Sequence, residues 1–575
     1  MTAPLARIEG VAKSFGKDKP PAIDALSVSI APGQVTGLVG PDGAGKTTLL
    51  RLMASLLLPD QGRLEVCGYD TRHEAAALRH AVAYMPQRFG LYEDLSVLEN
   101  LALYADLRAV AGRQREEAFS RLLAFTGLKP FTKRLAGALS GGMKQKLGLA
   151  CALIAKPRLL LLDEPSVGVD PISRRELWRM VYELVEEGIG VVWSTAYLDE
   201  AERCASVLLM SEGKLLYDGP PQALTQHVAH RTYAVKDMSG DRRAVLARAL
   251  ALEGVLDGVI QGRSLRLVLR DNAAAPDANA LNAGPAARVE ATPARFEDAF
   301  MSLLGGGPKT ASPFKQMTAR HGRPSEAVVE AVGLTRRFGR FTAASDISFA
   351  VRRGEIFGLI GPNGAGKSTT FKMLCGLLPP TSGTARVAGL DFARAPSKAR
   401  GRLGYMAQKF SLYGDLSVAQ NLSFFAGVYG LGGGRRQQAI ARMVETFMLA
   451  PHLDSNAATL PLGFKQRLAL ACAVMHDPDV LFLDEPTSGV DPRTRREFWS
   501  HINAMVENGV TIMVTTHFLD EAEYCDRMAL IYRGRVIATG APDALKALAR
   551  NAQRPDPSLE DAFIALVEDD DRRAA

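Results

Sequence analysis

The sequence predicts an α/β fold built twice over, and three observations predict it. The segments "GPDGAGKTT" from Gly40 and "GPNGAGKST" from Gly361 stand 321 residues apart. "YMPQ" and "YMAQ", ending at Gln87 and Gln408, keep that spacing, as do "LLLLDEP" with Asp163 and "VLFLDEP" with Asp484. A spacing that constant marks a tandem duplication with almost no insertion between the marks. Around them, apolar runs such as "QVTGLVG" and "RLLLLDEP" read as buried parallel strands, alternating with helical patterns such as "SRRELWRMVYELVEE".

A chain of 575 residues exceeds what one hydrophobic core supports, and 47% hydrophobic with 23% charged residues is a globular composition. The six cysteines lie far apart with no CxxC pair, which argues against a zinc site or a disulfide framework. The opening "MTAPLARIEGVAKSFG" lacks the apolar centre of a signal peptide, and no apolar run approaches the roughly 18 residues of a membrane helix. A soluble chain is expected. The net charge of +7 is not gathered into a basic tail, so no nucleic-acid partner is expected. The copies close alike, with "RFEDAFMSLL" from Arg295 and "LEDAFIALV" from Leu559. The expected boundaries are a first domain with a C-terminal extension over 1–304, a Gly/Pro-rich flexible linker over 305–326, and a second domain with a short extension over 327–575.

Strand, Gly-rich loop and helix together suit a nucleoside triphosphate. In the first loop (Gly40, Pro41, Asp42, Gly43, Ala44, Gly45, Lys46, Thr47, Thr48) and the second (Gly361, Pro362, Asn363, Gly364, Ala365, Gly366, Lys367, Ser368, Thr369), glycines let backbone N–H groups close on phosphates. Lys46 or Lys367 reaches the β and γ oxygens, and Thr47 or Ser368 ligates Mg²⁺. Asp163 and Asp484 fit the metal-side carboxylate of phosphoryl transfer, with Glu164 and Glu485 placed to polarise water. Such acidic pairs otherwise serve as strand-end solvation or helix caps, but the preceding phosphate loops favour the functional reading.

At this point the residues resemble the ATP-binding cassette (ABC) ATPases. Walker A, the Q-loop Gln (Gln87, Gln408), the "LSGG" signature, Walker B with its Glu, the D-loops "SVGVD" and "TSGVD" ending at Asp170 and Asp491, and a switch His occur in family order over nearly the whole chain. The resemblance implies two P-loop, RecA-like nucleotide-binding domains, each with an antiparallel β layer and a helical subdomain between the Gln and signature marks. It also implies ATP and Mg²⁺ as cofactors, Mg²⁺ being ligated by Thr47, Gln87 and Asp163 or by Ser368, Gln408 and Asp484. Two domains clasp head to tail, each ATP lying between one Walker A and the other signature, so one chain suffices. Phe15 and Phe338 resemble the aromatic that stacks on adenine, although a Phe there also suits packing of the first strands.

The copies are unequal. Ser140, Gly141 and Gly142 match the family signature, whereas the second copy has Pro461 and Leu462 before Gly463. Pro461 supplies neither hydroxyl nor N–H, and Leu462 puts a side chain where close backbone approach is needed. Conversely His517 of "VTTHFLDEAE" becomes Ala196 in "WSTAYLDEAE", and Asp42 replaces Asn363. In a head-to-tail clasp the departures gather at the ATP on Lys46, and the intact parts (Lys367, Gln408, Asp484, Glu485, His517, Ser140) at the other.

Within the family, "LYEDLSVLENL", "LYGDLSVAQNL", the "GVDP" endings and the terminal "EDAF" elements resemble fused tandem ATPases of bacterial ABC-2 and drug-resistance exporters. This implies multidrug efflux, integral membrane permease partners of ABC-2 type, a membrane-fusion protein as a further partner, and peripheral attachment at the cytoplasmic face of the inner membrane. A ribosome-associated twin-cassette ATPase and a sugar-importer ATPase are the alternatives.

Overall fold

The apolar strand runs and amphipathic helices assemble as their periodicities require. The computed structural model describes residues 3–16, 20–87, 90–308, 312–316, 326–391, 401–408, 412–551 and 554–574. The chain divides into two units, Met1–His230 with Pro293–Leu304 and Arg231–Thr292 with Gly305–Ala575.

In the first unit, a six-stranded sheet runs in the order Lys214–Gly219, Ser206–Ser211, Val35–Val39, Gly190–Thr195, Leu159–Asp163, Val82–Met85. All neighbours are parallel except the edge strand Lys214–Gly219. The central strands are buried at every residue, the pattern of a sheet covered on both faces. A second, antiparallel sheet joins Ile23–Ile30, Ala6–Lys13, Gln61–Val66 and Tyr69–Asp70. Between the Gln and signature marks lie helices Val97–Leu107 and Gly112–Phe125, the former opened by a capping box of Ser96 and Glu99.

The second unit repeats this plan. Its six-stranded sheet contains Leu403–Met406, Val480–Asp484, Thr511–Thr516, Ile356–Ile360, Arg527–Tyr532 and Arg535–Gly540, in that order. The antiparallel layer is Phe341–Arg352, Ala327–Phe338, Ser382–Val387 and Leu390–Asp391. The helical insertion is Val418–Val428 and Gly433–Thr446, with Ser417 and Gln420 forming the capping box.

The segment after the first cassette, for which the sequence carries no motif, forms an antiparallel sheet of its own in the order Val255–Gln261, Ser264–Leu269, Thr232–Lys236, Arg288–Ala291. This extension belongs to the second unit. Arg242 and Arg243, opening the helix Arg242–Ala251, reach Asp526 at 2.8 and 2.6 Å. Asp257 pairs with Arg496 at 3.3 Å. Part of the segment read as a flexible linker is also seated: Phe314 is buried beside Phe447 and His501, and Ser312 Oγ lies 2.8 Å from His501 Nδ1. An apolar ring and a hydrogen-bonded hydroxyl override the local Gly/Pro signal there. The rest of the expected linker, residues 309–311 and 317–325, lies outside the described residues.

Removing one partner of a buried ion pair leaves the other charge uncompensated. Asp257→Ala is therefore expected to cost on the order of 3 kcal/mol in the seating of the extension. Hydrogen exchange checks it: the amides of Arg242–Ala251 and Val255–Gln261 lose protection while ATP affinity is kept.

Candidate active sites

Each phosphate loop follows a fully buried strand, Val35–Val39 or Ile356–Ile360, and opens a helix at Lys46 or Lys367. The residue before each helix, Gly45 or Gly366, sits at φ 101° or 103°. A Cβ there would stand 2.3 Å from the Ala22 or Ala343 carbonyl oxygen, so only glycine closes the turn. Neither helix start is capped by a side chain, which keeps its N–H groups available to an anion. Lys46 Nζ donates to Gly40 O at 2.7 Å and to Pro41 O at 3.2 Å; Lys367 Nζ donates to Gly361 O at 2.6 Å and to Pro362 O at 3.1 Å. The lysines stand 3.6 and 3.7 Å from Glu164 and Glu485.

Thr47 Oγ1 donates to Asp163 Oδ1 at 3.0 Å, and Ser368 Oγ to Asp484 Oδ1 at 3.2 Å. A hydroxyl beside a strand-end carboxylate is a hard-oxygen donor pair of the kind Mg²⁺ takes while the phosphates supply further ligands. Among the described residues no group of three or more His, Cys, Asp or Glu forms a metal cage. Burial raises both aspartates, against hydrogen bonds from Thr47 and Tyr84 in one and from Thr515 and Ser368 in the other.

The adjoining glutamates are held at positive φ, 48° at Glu164 and 50° at Glu485. A non-glycine residue there is strained, and the repetition of that strain at both matching positions fits a site whose geometry is fixed in advance. Gln87 Nε2 donates to Glu164, and Gln408 Nε2 donates to Glu485 at 2.7 Å. The copies then part. His517 Nδ1 lies 3.2 Å from Glu485 Oε2, and the buried methyl of Ala196 occupies the matching place. Burial opposes ionisation of both glutamates. At Glu485 the charge and hydrogen bond of His517, then Lys367 and Gln408, outweigh burial and hold the carboxyl at about 2. At Glu164 burial prevails over Lys46, and the carboxyl is raised.

The signature helices Gly141–Ala152 and Leu462–Val474 start from nearly the same backbone, φ −66° and ψ 162° at Ser140 against −54° and 152° at Pro461. Both residues also accept the first helical bond through their carbonyls, from Lys144 N at 2.8 Å and Lys465 N at 3.0 Å. Only Ser140 adds a side-chain cap, accepting from Met143 N at 3.3 Å. Proline suits an extended residue preceding a helix, so the fold survives while the hydroxyl is lost. A Cβ on Gly142 would lie 2.6 Å from Ser173 Oγ; on Gly463 it would have 3.5 Å of room from Thr494.

Asp170 and Asp491 cap the helices Pro171–Glu186 and Pro492–Glu507, accepting from Ser173 N in the first and from Arg493 N and Thr494 N in the second. Phe15 and Phe338 are 58% and 47% exposed, so neither ring packs the strands. Each carries a cation over its face, Lys13 at 5.9 Å and Arg336 at 4.7 Å.

Sequence reasoning missed a second support for each aspartate. The Tyr84 hydroxyl donates to Asp163 Oδ2 at 3.0 Å, and burial beside that carboxylate pushes the phenol up to about 12. In the second cassette Thr515 Oγ1 donates to Asp484 at 2.5 Å instead. It also missed Glu200 and Glu521, buried carboxylates that tie the D-loop to the switch strand through Ser166, Trp193 and Thr195, or through Thr487 and Thr516. The repeated "YM" and "LDEAE" marks carried that signal.

The family model described as "ABC transporter" matches residues 23–167 and 344–488. The chain belongs to the ABC transporter family. It is 59% identical over 574 residues to the "Probable multidrug ABC transporter ATP-binding protein YbhF" of Escherichia coli (strain K12), covering 100% of this chain and 99% of that protein. Over 42% of its length it is 40% identical to the "Nod factor export ATP-binding protein I" of Paraburkholderia xenovorans (strain LB400), covering 82% of that protein. Over 37% it is 36% identical to the "Linearmycin resistance ATP-binding protein LnrL" of Bacillus subtilis (strain 168), covering 69% of that protein. As an ABC ATPase the chain binds and hydrolyses ATP.

The depressed Glu485 carboxyl contributes stability that is fully present above its ordinary value of 4.5 and fades only as pH falls through about 2. In His517→Ala the largest opposing charge is gone and burial raises the carboxyl, so less of this stability is there to lose and the decline below about pH 4.5 is shallower than in the parent. Thermal midpoints followed between about pH 3 and 6 check it, with Ala196→His expected to move Glu164 the opposite way.

Proposed function

We propose that this chain is the ATP-hydrolysing motor of a membrane exporter, multidrug efflux being its load, in which two unlike ATP sites divide the work. The cassettes clasp head to tail, so that each ATP is shared by one phosphate loop and the opposite signature. Phe15 or Phe338 stacks on adenine, the loop N–H groups and Lys46 or Lys367 hold the phosphates, and Asp170 and Asp491 steady the D-loops at the interface. Mg²⁺ would be held by Thr47 with Asp163 and by Ser368 with Asp484, together with Gln87 and Gln408, and would neutralise phosphate charge there.

At the Lys367 site Glu485 stays ionised and orients water, His517 steadies that carboxylate and faces the γ-phosphate, and Ser140 with Gly141 and Gly142 donates from across the clasp. The Lys46 site, with Asp42, Ala196 and the Pro461–Leu462–Gly463 signature, holds ATP as a slow clamp. The observation that carries this division is the 3.2 Å His517–Glu485 contact, whose imidazole the first cassette lacks.

The export load is supported by the names of the relatives above. No helix among the described residues is long and apolar enough to cross a membrane, so the transport pathway is assigned to separate permease subunits of ABC-2 type that dock near Gln87 and Gln408. A membrane-fusion protein is a further partner, and the chain works at the cytoplasmic face of the inner membrane.

Steady-state ATPase of two single variants tests the division. Glu485→Gln is expected to lose at least about 100-fold, while Glu164→Gln stays within a few-fold of the parent. Equal losses would refute unequal sites.

A further inference from the structure

Behind the His517–Glu485 contact of the second cassette stands a third buried carboxylate. Glu521, 1% exposed, sits on the short helix Leu519–Ala522 that follows the switch strand Thr511–Thr516. A carboxylate taken that far from water is tolerated only when its oxygens are matched. The groups that match these come from three places. Thr516 Oγ1 donates to Oε2 at 3.1 Å, and the Thr487 hydroxyl of the D-loop donates to Oε1. Arg495, on the helix that follows the D-loop, pairs with Oε1 at 3.5 Å.

These partners enclose His517. Thr516 Oγ1 also accepts from Phe518 N at 2.9 Å, so the residues on either side of His517 are fixed to each other and, through that hydroxyl, to Glu521. The Phe518 ring lies 4.0 Å from the imidazole between centroids, and the Arg495 guanidinium stands over the same ring at 5.7 Å. Arg495 further donates to Val490 O of the D-loop at 3.2 Å. The imidazole therefore meets Glu485 at 3.2 Å with both its backbone and its ring neighbour tied to one carboxylate. The first cassette keeps this frame: Glu200 accepts from Ser166 Oγ at 2.9 Å and Thr195 Oγ1 at 2.6 Å, and Tyr197 N donates to Thr195 Oγ1 at 2.9 Å. There the enclosed residue is Ala196, and Trp193 Nε1 adds a donor at 2.9 Å where the second cassette has Val514. Only the second frame holds an imidazole.

From this geometry we infer that Glu521 is a positioning residue for ATP hydrolysis, holding His517 on Glu485 in register with the D-loop. The inference rests on the reading that the Lys367 site hydrolyses ATP through Glu485 and His517. Glu521 acts on the rate through the imidazole and leaves the phosphate loop, which carries ATP affinity, untouched.

ATPase kinetics of the full chain test this, with single turnovers at excess enzyme keeping the slow variants measurable. Glu521→Gln keeps the size of the side chain and removes its charge; Thr516→Val keeps the shape and removes the hydroxyl. Each is expected to lower kcat about tenfold or more, a small misplacement of a group at the reacting centre being enough for that, while KM for ATP stays within about twofold. Thr516→Ser, which retains the hydroxyl, should recover most of the loss. In the His517→Ala background Glu521→Gln should cost less than about twofold more, since no imidazole is left to place. A change confined to KM, full kcat in Thr516→Val, or losses that multiply in the double variant would each overturn the assignment. If Glu521→Gln fails to fold, Thr516→Val against Thr516→Ser decides, alone and with His517→Ala. The reading beneath the inference fails by a different result, equal losses in Glu485→Gln and Glu164→Gln.

Discussion

Two adjacent carboxylates at the exit of an apolar strand are the burden around which each cassette is organised. Asp163 and Glu164, like Asp484 and Glu485, lie almost wholly out of water, where an unpaired charge costs several kcal/mol. What makes the pair tolerable is supplied from four directions: the phosphate-loop lysine, the hydroxyl that follows it, the Q-loop amide, and the tyrosine or threonine of a neighbouring strand. Those are the groups to which the proposed function assigns phosphate and water. On that proposal, catalysis and the burial of charge draw on one set of side chains, and a substitution in it alters both.

The inequality of the two copies follows from how little of this chemistry the backbone needs. Pro461 takes up the extended geometry of Ser140 and still accepts the helix's first bond. Ala196 is itself fully buried. Neither change disturbs the sheet order, which is the same in both units. The fold is therefore retained in both halves although one lacks the hydroxyl that caps Met143 N and the other lacks the buried imidazole of His517.

The doubled α/β plan was legible because buried parallel strands and glycine-rich turns leave dense local signals, repeated at fixed spacing. The loop lysines, Thr47, Ser368, Asp163, Asp484 and the two glutamates could all be read for the same reason. Tyr84 and Thr515 were harder, since they act across strands and a buried hydroxyl in an apolar run reads as core. The extension was harder still. "TYAVK" and "SLRLVL" show ordinary strand alternation, but nothing local says that Arg243 will meet Asp526, 283 positions away. Long-range ion pairs of this kind are fixed by topology, and Phe314 likewise finds its pocket despite Gly/Pro-rich neighbours.

The path of the backbone carries one more consequence. By passing into the second unit after His230, back after Thr292 and across again after Leu304, the polypeptide stitches its halves with three covalent passages. A protease nick at any single passage would leave the others in place, so the halves would stay at the high mutual concentration that tethering gives. Each unit is thus completed by chain that returns from the other's stretch of sequence, which a simple end-to-end fusion would not require.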